Sequence, residues 1–507
     1  MLLLPSLLWA GPNRGKKLRL DLGTAVRVGI ANNFALIAAR NRKVALKELI
    51  TERWRAYLPS VGVSYSRTRD INQDAADVLS HEIRLNIEQV LYDGGRRNLD
   101  LDLAKIDAIL ARSDIRILLN RLRLDIQRAY LRVLAASGKI DLNQKSLERA
   151  RLQLKQVRLE EKVGLATRVQ VLTVASRVRE IELAMRQAAN EYRQANHDLK
   201  LALNLDFEVD LVPTGDLFRD FVLNPPRVNV KSMLHRARAL RPEIKRSLTN
   251  IHRLKKEKQL AVDSWIPRIS VNAFVGRQGE RFPIRQRSWG VNFSLTFPIG
   301  STTSSSNAGT GVERDRTSAR SNTSTSLQFF DDLSYDRRVL ESKVALGEAL
   351  TQHRQLYNQL AIEVIKSYDG LRESWESIRI GNGRVYFRYE SLRIINTRYK
   401  VGEIKREDIV LAETELVRAQ EDLTDAIARY ITSAYELEFA AGLDPGTLPL
   451  FLYRPGKGNS LLSRIILGGP VKQTKIPRAD TPALKKNEPG TNKKKKPGYL
   501  LDDVKLK

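Results

Sequence analysis

"KVGLATRVQVL" begins at Lys162 and "KVGEIKREDIV" begins at Lys400. Each time Lys-Val-Gly interrupts a stretch rich in helix formers, and a basic residue and an apolar helical run follow. Glycine tolerates the left-handed conformation that commonly ends a helix, and Thr167 stands where it would cap the next helix of the first copy. The two stretches therefore predict two copies of one helical hairpin tip, 238 residues apart.

Outward from the tips the repetition continues. Pro59 in "RAYLPSVGVSYS" answers to Pro267 in "DSWIPRISVNAF" at an offset of 208, whereas Tyr130 and Tyr368, and Leu205-Asp206 and Leu443-Asp444, share the offset of 238. The difference locates about 30 extra residues in the second copy, in "STTSSSNAGTGVERDRTSARSNTSTS". Ser, Thr, Asn and Gly at that density read as a flexible insertion. By the repeat symmetry it is expected where the strands meet the helices. No proline falls between Pro59 and Pro213 or between Pro298 and Pro445, which leaves both spans free for long regular elements.

Directly after Pro59 and Pro267 the apolar residues alternate. Val61, Val63 and Tyr65 share one face, as do Ile83, Leu85 and Ile87; in the second copy Ile269, Val271, Ala273 and Val275, and then Trp289, Val291, Phe293, Leu295 and Phe297, do the same. Arg84, Asn86, Glu88, Asn292 and Thr296 take the other face. Four strands of roughly ten residues with period two have the length and pattern of membrane-spanning β-strands. Two soluble hairpins, each with one wet face, would write the same pattern.

Between the strand pairs the period becomes helical. From Arg96 to Glu160 there is no proline and one glycine, Gly138, enough for a rod roughly 95 Å long. After the tips runs a seam of three- and four-residue steps: Val171, Val174, Val178, Ile181, Met185, Ala188, Tyr192, Ala195, Leu199 and Ala202, matched by Ile409, Ala412, Leu416, Ala419, Leu423, Ala426, Tyr430, Ser433, Leu437 and Ala440. Such a seam means helices supercoiled against neighbours.

Composition sets the outer bounds. The hydrophobic share of 42% argues for a folded chain, and the absence of cysteine excludes disulfides and thiolate metal sites. A net charge of +28 admits nucleic acid or an anionic membrane as a partner, but the excess is spread along the helices except in the tail "KKNEPGTNKKKKPGY", which reads as solvated. No segment holds the roughly 20 uninterrupted apolar residues of a membrane-spanning helix. The start, "MLLLPSLLWAGPNRGKK", has the apolar stretch and small residues of an export signal without its charged beginning, and is expected to be such a signal, truncated.

Catalytic chemistry is not legible. "GPNRGKK" has only three residues between its glycines and puts Lys17 where a P-loop needs Ser or Thr. "HEIRL" at His81 lacks a second histidine, and His197, His235, His252 and His353 are scattered singly. "YDGGRRN" lacks the third glycine of a dinucleotide site and reads as a strand-to-helix joint. No enzyme activity, cofactor or metal is expected.

Taken in order, these segments resemble the TolC family of outer-membrane efflux and secretion channels over about residues 20 to 445. "NNFALIAA" stands for the family's Asn-Pro-Glu-Leu opening, "YLPSVGVS" and "WIPRISVN" for its Leu-Pro-Ser strand entry, and "QVLYDGGRR" for its Pro-Leu-Phe-Asp-Gly-Gly exit. "YKVGEIKREDIVLAETEL", with Tyr399, Gly402 and Asp408, follows the family's tip motif. The resemblance implies an α+β membrane protein: a homotrimer whose chains each give four strands to a twelve-stranded outer-membrane β-barrel and four helical rods to a long coiled-coil tunnel in the periplasm. It also implies a passive conduit serving a periplasmic adaptor and an inner-membrane pump. Lys162, Val163, Gly164, Lys400, Val401 and Gly402 then become adaptor-docking tips, and Asp408, Gln170 and Tyr399 a candidate lumenal gate. Gln170 stands where the second copy has Asp408, Leu411 replaces a further acidic residue, Glu161 stands in for the tip tyrosine of the first copy, and Val90 replaces the strand-exit proline kept as Pro298, so any acidic ring is thinned.

The expected organisation is a signal-like segment at 1–17, a first repeat at 18–210 with strands near 60–69 and 81–92, and a linker at 211–231. A second repeat follows at 232–446, with strands near 268–276 and 288–299 and the Ser/Thr-rich insertion at 300–332, then a basic extension at 447–507. Outer-membrane lipid is the expected surrounding and nucleic acid is not an expected partner. The competing class is a soluble basic coiled-coil scaffold that binds nucleic acid.

Overall fold

The computed structural model describes residues 18–70, 78–263, 266–299, 302–312, 319–329 and 334–453. The signal-like start and the Lys-rich tail lie outside the described residues.

Each repeat opens with two helices, α1 (Leu22–Asn32) and α2 (Phe34–Arg55) in the first, α5 (Val230–Leu240) and α6 (Pro242–Val262) in the second. Asn33 starts α2 by accepting the Leu36 N–H at 2.9 Å, and at the matching joint Pro242 takes the first turn of α6, where its missing N–H costs nothing. Strand pairs follow: β2 (Ser60–Asp70) with β3 (Val78–Tyr92), and β6 (Arg268–Gly279) with β7 (Gln286–Ile299). Then come the rods, α3 (Arg96–Lys162) with α4 (Arg168–Leu203), and α7 (Tyr335–Lys400) with α8 (Arg406–Ala440). At 67 and 66 residues, α3 and α7 each extend about 100 Å. Gly138 does not break α3. Among the described residues no single helix is long and apolar enough to cross a membrane.

The heptad seams are buried as their spacing implies. In α4, Val171, Val174, Val178, Ile181, Ala188, Ala195 and Leu199 are buried against α3; in α8 the burial extends to a second face, Val410, Val417, Ile427, Ile431 and Ala434, because α8 packs on α3 as well as α7. The main core sits where all four rods meet two small sheets that the sequence pattern did not announce. β1 (Leu18–Leu20) pairs in parallel with β4 (Leu211–Pro213), and β5 (Phe221–Leu223) pairs antiparallel with β10 (Phe451–Tyr453). Tyr130 of α3 donates its hydroxyl to the carbonyls of Leu20 and Thr214, and Tyr430 of α8 to that of Asn224, so each sheet is pegged to a rod. Arg241, almost fully buried, binds Glu243 at 3.0 Å, Glu363 at 3.1 Å and the Phe439 carbonyl at 3.0 Å, tying α6 and α7 to the end of α8.

The four expected strands form one antiparallel sheet, and it does not stop there. The Ser/Thr-rich segment, expected to be flexible and to lie at the joint, forms two further strands: β8 (Thr302–Val312) pairs with β7 over eleven positions, and β9 (Ala319–Gln328) pairs with β8. The sheet order is β2-β3-β6-β7-β8-β9. Only two residues separate Ile299 from Thr302, and β8 runs back along the otherwise open edge of β7, where backbone N–H and C=O groups need partners. β8 runs away from the helices, so Val312 and Ala319 stand at the end of the sheet shared with the β6–β7 turn, far from the joint.

Candidate functional site

The candidate residues fall in two regions, the helical tips at one end of the molecule and the sheet at the other.

At both tips the chain turns in the same way. Gly164 and Gly402 adopt φ of 78° and 80°. In the first tip the Leu165 N–H reaches the Glu160 carbonyl at 2.8 Å and the Gly164 N–H reaches that of Glu161 at 3.1 Å; in the second, Glu403 reaches Arg398 at 3.1 Å and Gly402 reaches Tyr399 at 3.0 Å. This double closure ends a helix on a left-handed glycine. No heavy atom lies within 4 Å of where a Cβ would stand on either glycine, so the requirement is conformational and not steric. Lys162, Val163, Lys400 and Val401 are all exposed, and the first tip adds Leu165, 80% exposed, and Val169. The first tip thus offers bare apolar side chains, whereas the second carries Lys400, Lys405, Glu403 and Asp408.

The candidate gate residues fall into two environments. Gln170 and Asp408 occupy equivalent third positions of α4 and α8 and both close helix starts: Gln170 accepts the Thr167 N–H at 2.8 Å, and Asp408 accepts the Lys405 N–H at 3.1 Å. Tyr399 instead joins the repeats. Its hydroxyl donates to Glu160 at 3.1 Å, while Arg406 of α8 donates to Tyr399, to Glu160, and to Gln156 at 2.7 Å. Burial pushes the Tyr399 phenol up, against the pull of the Arg406 guanidinium, so it stays a neutral donor. Glu160 and Gln156 carried no signal in the sequence, since their partners lie some 240 residues away. Beneath this cluster Val157, Val171, Val174 and Val410 form a small shared core, and Gln153 donates to Glu413 at 3.0 Å.

The sheet is sharply two-faced. One row holds Val61, Val63, Tyr65, Ile83, Leu85, Ile87, Val275, Trp289, Phe293 and Phe297, all exposed; Val63 is 75% bare. The register puts them side by side: Val63 faces Leu85, Leu85 faces Val275, and Val275 faces Trp289. Aromatic residues mark the ends of this band, Tyr65 and Trp289 at one, Tyr92 and Phe297 at the other, and Trp289 to Phe297 spans about 27 Å along the strand. An apolar band about 25 Å tall with aromatic girdles is what hydrocarbon demands of a barrel wall. The opposite row carries Glu82, Arg84, Asn86, Glu88, Asn272 and Asn292, with Arg84 stacked over Phe274 at 4.5 Å and Asn86 donating to Ser64 at 3.1 Å. That face suits water.

Between the ends, a groove of about 890 Å³ among the rods is lined by Arg128, Arg132, Glu191, Asp425 and Glu436. Its charges are paired: Arg128 with Glu436 at 2.8 Å, Arg132 with Asp198 at 3.0 Å, and Asp425 and Glu191 with the neighbouring Lys139 at 2.9 Å and 3.0 Å. Among the described residues no group of three or more His, Asp or Glu could hold a metal ion.

Residues 27–205 match the model of the outer membrane efflux protein family. That match falls within the first repeat. No curated protein matches the chain. Solved structures extend the likeness beyond that repeat. The Campylobacter jejuni CmeC outer membrane channel is 14% identical with a TM-score of 0.69, over 83% of this chain and 85% of that one. The open-state Neisseria gonorrhoeae MtrE outer membrane channel is 14% identical with a TM-score of 0.67, over 83% and 89%. The Vibrio cholerae outer membrane protein VceC is 13% identical with a TM-score of 0.66, over 83% and 96%. At these identities the likeness is one of fold: an α+β chain of the TolC type, written as two repeats. Within that fold the apolar band and the tips stand at opposite ends of the rods.

Proposed function

We propose that this chain is the outer-membrane exit duct of a tripartite efflux or type I secretion system. Three copies enclose a passive conduit, with the sheet in the outer membrane and the rods in the periplasm. An inner-membrane pump supplies the driving force through a periplasmic adaptor, and that adaptor meets the exposed residues around Gly164 and Gly402. The observation that carries this reading is the exposed apolar row from Val61 to Phe297: a soluble scaffold has no use for such a band, and a sheet with open edges cannot sit in hydrocarbon unless copies close it into a ring. The tip cluster of Tyr399, Glu160 and Arg406 supplies the second half of the mechanism. By bonding α7 and α8 to α3 it holds the rods together at the tunnel mouth, so opening requires those bonds to exchange for others. Fractionation is the first test. The protein should pellet with outer membranes and need detergent for release, and the purified oligomer should conduct ions across a planar bilayer; recovery in the aqueous fraction, bound to nucleic acid, would favour the scaffold.

A further inference from the structure

The hairpin β8–β9 lies where a barrel of four strands per chain would place a neighbour. Its composition, rich in Ser, Thr and Gly, hides an alternation in phase with the rest of the sheet. The register with β7 puts Ser304, Ser306, Ala308, Thr310 and Val312 in the row of Trp289, Val291, Phe293 and Leu295; the register with β9 continues that row through Ser321, Thr323, Thr325 and Leu327. Neither an amide nor a charge stands among these positions, and Ala308, Val312 and Leu327 all do. The opposite row takes Asn307, Gly309, Gly311, Asn322 and Gln328, beside Asn292. Two of the hydroxyls on that row, Ser306 and Thr325, bond each other at 3.1 Å across the strands. The fit to β7 is close as well, since a Cβ on Gly311 would stand 2.7 Å from the Trp289 carbonyl oxygen. Eleven residues also give β8 the length of β2. The edges that remain are β2 and β9, each with one side unpaired among the described residues.

We infer that β8 and β9 cross the membrane with the other four strands, and that β9 closes the ring by pairing with β2 of a neighbouring copy of this chain. The inference rests on the exit-duct reading and deepens it: three copies then enclose eighteen strands instead of twelve. At about 4.8 Å between strands and a tilt near 40°, such a ring is about 36 Å across, against about 24 Å for twelve. The added third of the wall presents hydroxyl and amide side chains inward, which suits a bulky, hydrated cargo.

The chain has no cysteine, so introduced pairs can be read without background. Val63→Cys on β2 is combined with Ser321→Cys, Thr323→Cys or Thr325→Cys on β9, and separately with Val291→Cys, Phe293→Cys or Leu295→Cys on β7, in cells carrying the full chain. Phe293→Cys with Ala308→Cys, a registered pair, serves as the internal control. Oxidation should link the β2–β9 pairs between copies and leave the β2–β7 pairs unlinked. Linkage of β2 to β7, or of neither while trimers are recovered, overturns the inference. A second, independent readout is charge: Ala308→Arg should abolish assembly and Asn307→Arg should not, whereas tolerance of both places the hairpin outside the membrane. Failure of the exit-duct reading is told apart by fractionation, because the unsubstituted protein would then be absent from membranes.

Discussion

Tyr399 and Glu160 meet across the two repeats: the phenol of α7 donates to the carboxylate of α3 at 3.1 Å, and Arg406 of α8 bonds both. The two hairpin tips are therefore one mechanical unit. Tyr399→Phe removes both hydrogen bonds of the hydroxyl, a loss of about 1–2 kcal/mol that leaves the Arg406–Glu160 pair in place, whereas Glu160→Ala strips the half-buried Arg406 of its carboxylate and costs about 2–3 kcal/mol locally. Resting conductance in a planar bilayer should rise for both, and more for Glu160→Ala. Equal, unchanged conductance would leave the cluster a structural tie only.

Gly402 is needed for its backbone. With φ at 80° and open space around the missing Cβ, Gly402→Ala should cost about 1 kcal/mol and Gly402→Asn less, because asparagine tolerates the left-handed region. Gly402→Val, β-branched, should abolish adaptor capture in crosslinked cells while trimers still form. Unimpaired capture by Gly402→Val would remove the tip from the docking surface.

Asp408 can be separated into cap and charge. Its carboxylate closes the start of α8 at 3.1 Å, so Asp408→Ala should lose about 1 kcal/mol of helix stability, whereas Asp408→Asn keeps an acceptor and should melt as the parent does. If three carboxylates gather at the tunnel mouth, Asp408→Asn should nonetheless raise resting conductance. Parent-like conductance with parent-like melting would assign Asp408 to the cap alone.

Glu413 offers a pH test away from the membrane. Burial raises its carboxyl above the ordinary range, against the pulls of Arg149 and of the hydrogen bond from Gln153. The folded chain then holds a proton that the unfolded chain has released, so this group's contribution is fully present below the ordinary carboxyl pKa and is lost as pH rises through the higher folded value. Glu413→Gln keeps an acceptor for Gln153 and should raise the melting temperature at pH 7 relative to the parent, with the gain shrinking toward pH 4. A gain that is constant with pH would show that the carboxyl is not perturbed.

Much of this was legible in the sequence because it is local. Proline at 59 and 267, period two through Val61 to Tyr65 and Trp289 to Phe297, and the seams from Val171 and Ile409 each declare an element within a dozen residues. The tip glycines were readable for the same reason. What escaped was long-range or low in contrast. Glu160 and Arg406 lie 246 positions apart, and no spacing rule links them. The three-residue strands β1, β4, β5 and β10 are too short to show a period and exist because Tyr130, Tyr430 and the rods hold them. In β8 and β9 the alternation runs between threonine or alanine and asparagine or glycine, a contrast too faint beside the composition to be read as strand without β7 for a partner.

In the proposed channel the row of Val61, Val63, Val291 and Phe293 faces lipid, while the row of Asn86 and Asn292 faces a water-filled lumen. The most direct measurement is recovery of assembled oligomer from outer membranes for Val291→Arg and for its neighbour Asn292→Arg. A charge at the membrane midplane costs about 2–4 kcal/mol in every copy, and one directed at the lumen costs little. Val291→Arg should therefore lose the oligomer and Asn292→Arg should retain it with altered ion selectivity. Equal recovery of the two variants, whether both lost or both retained, would contradict the account.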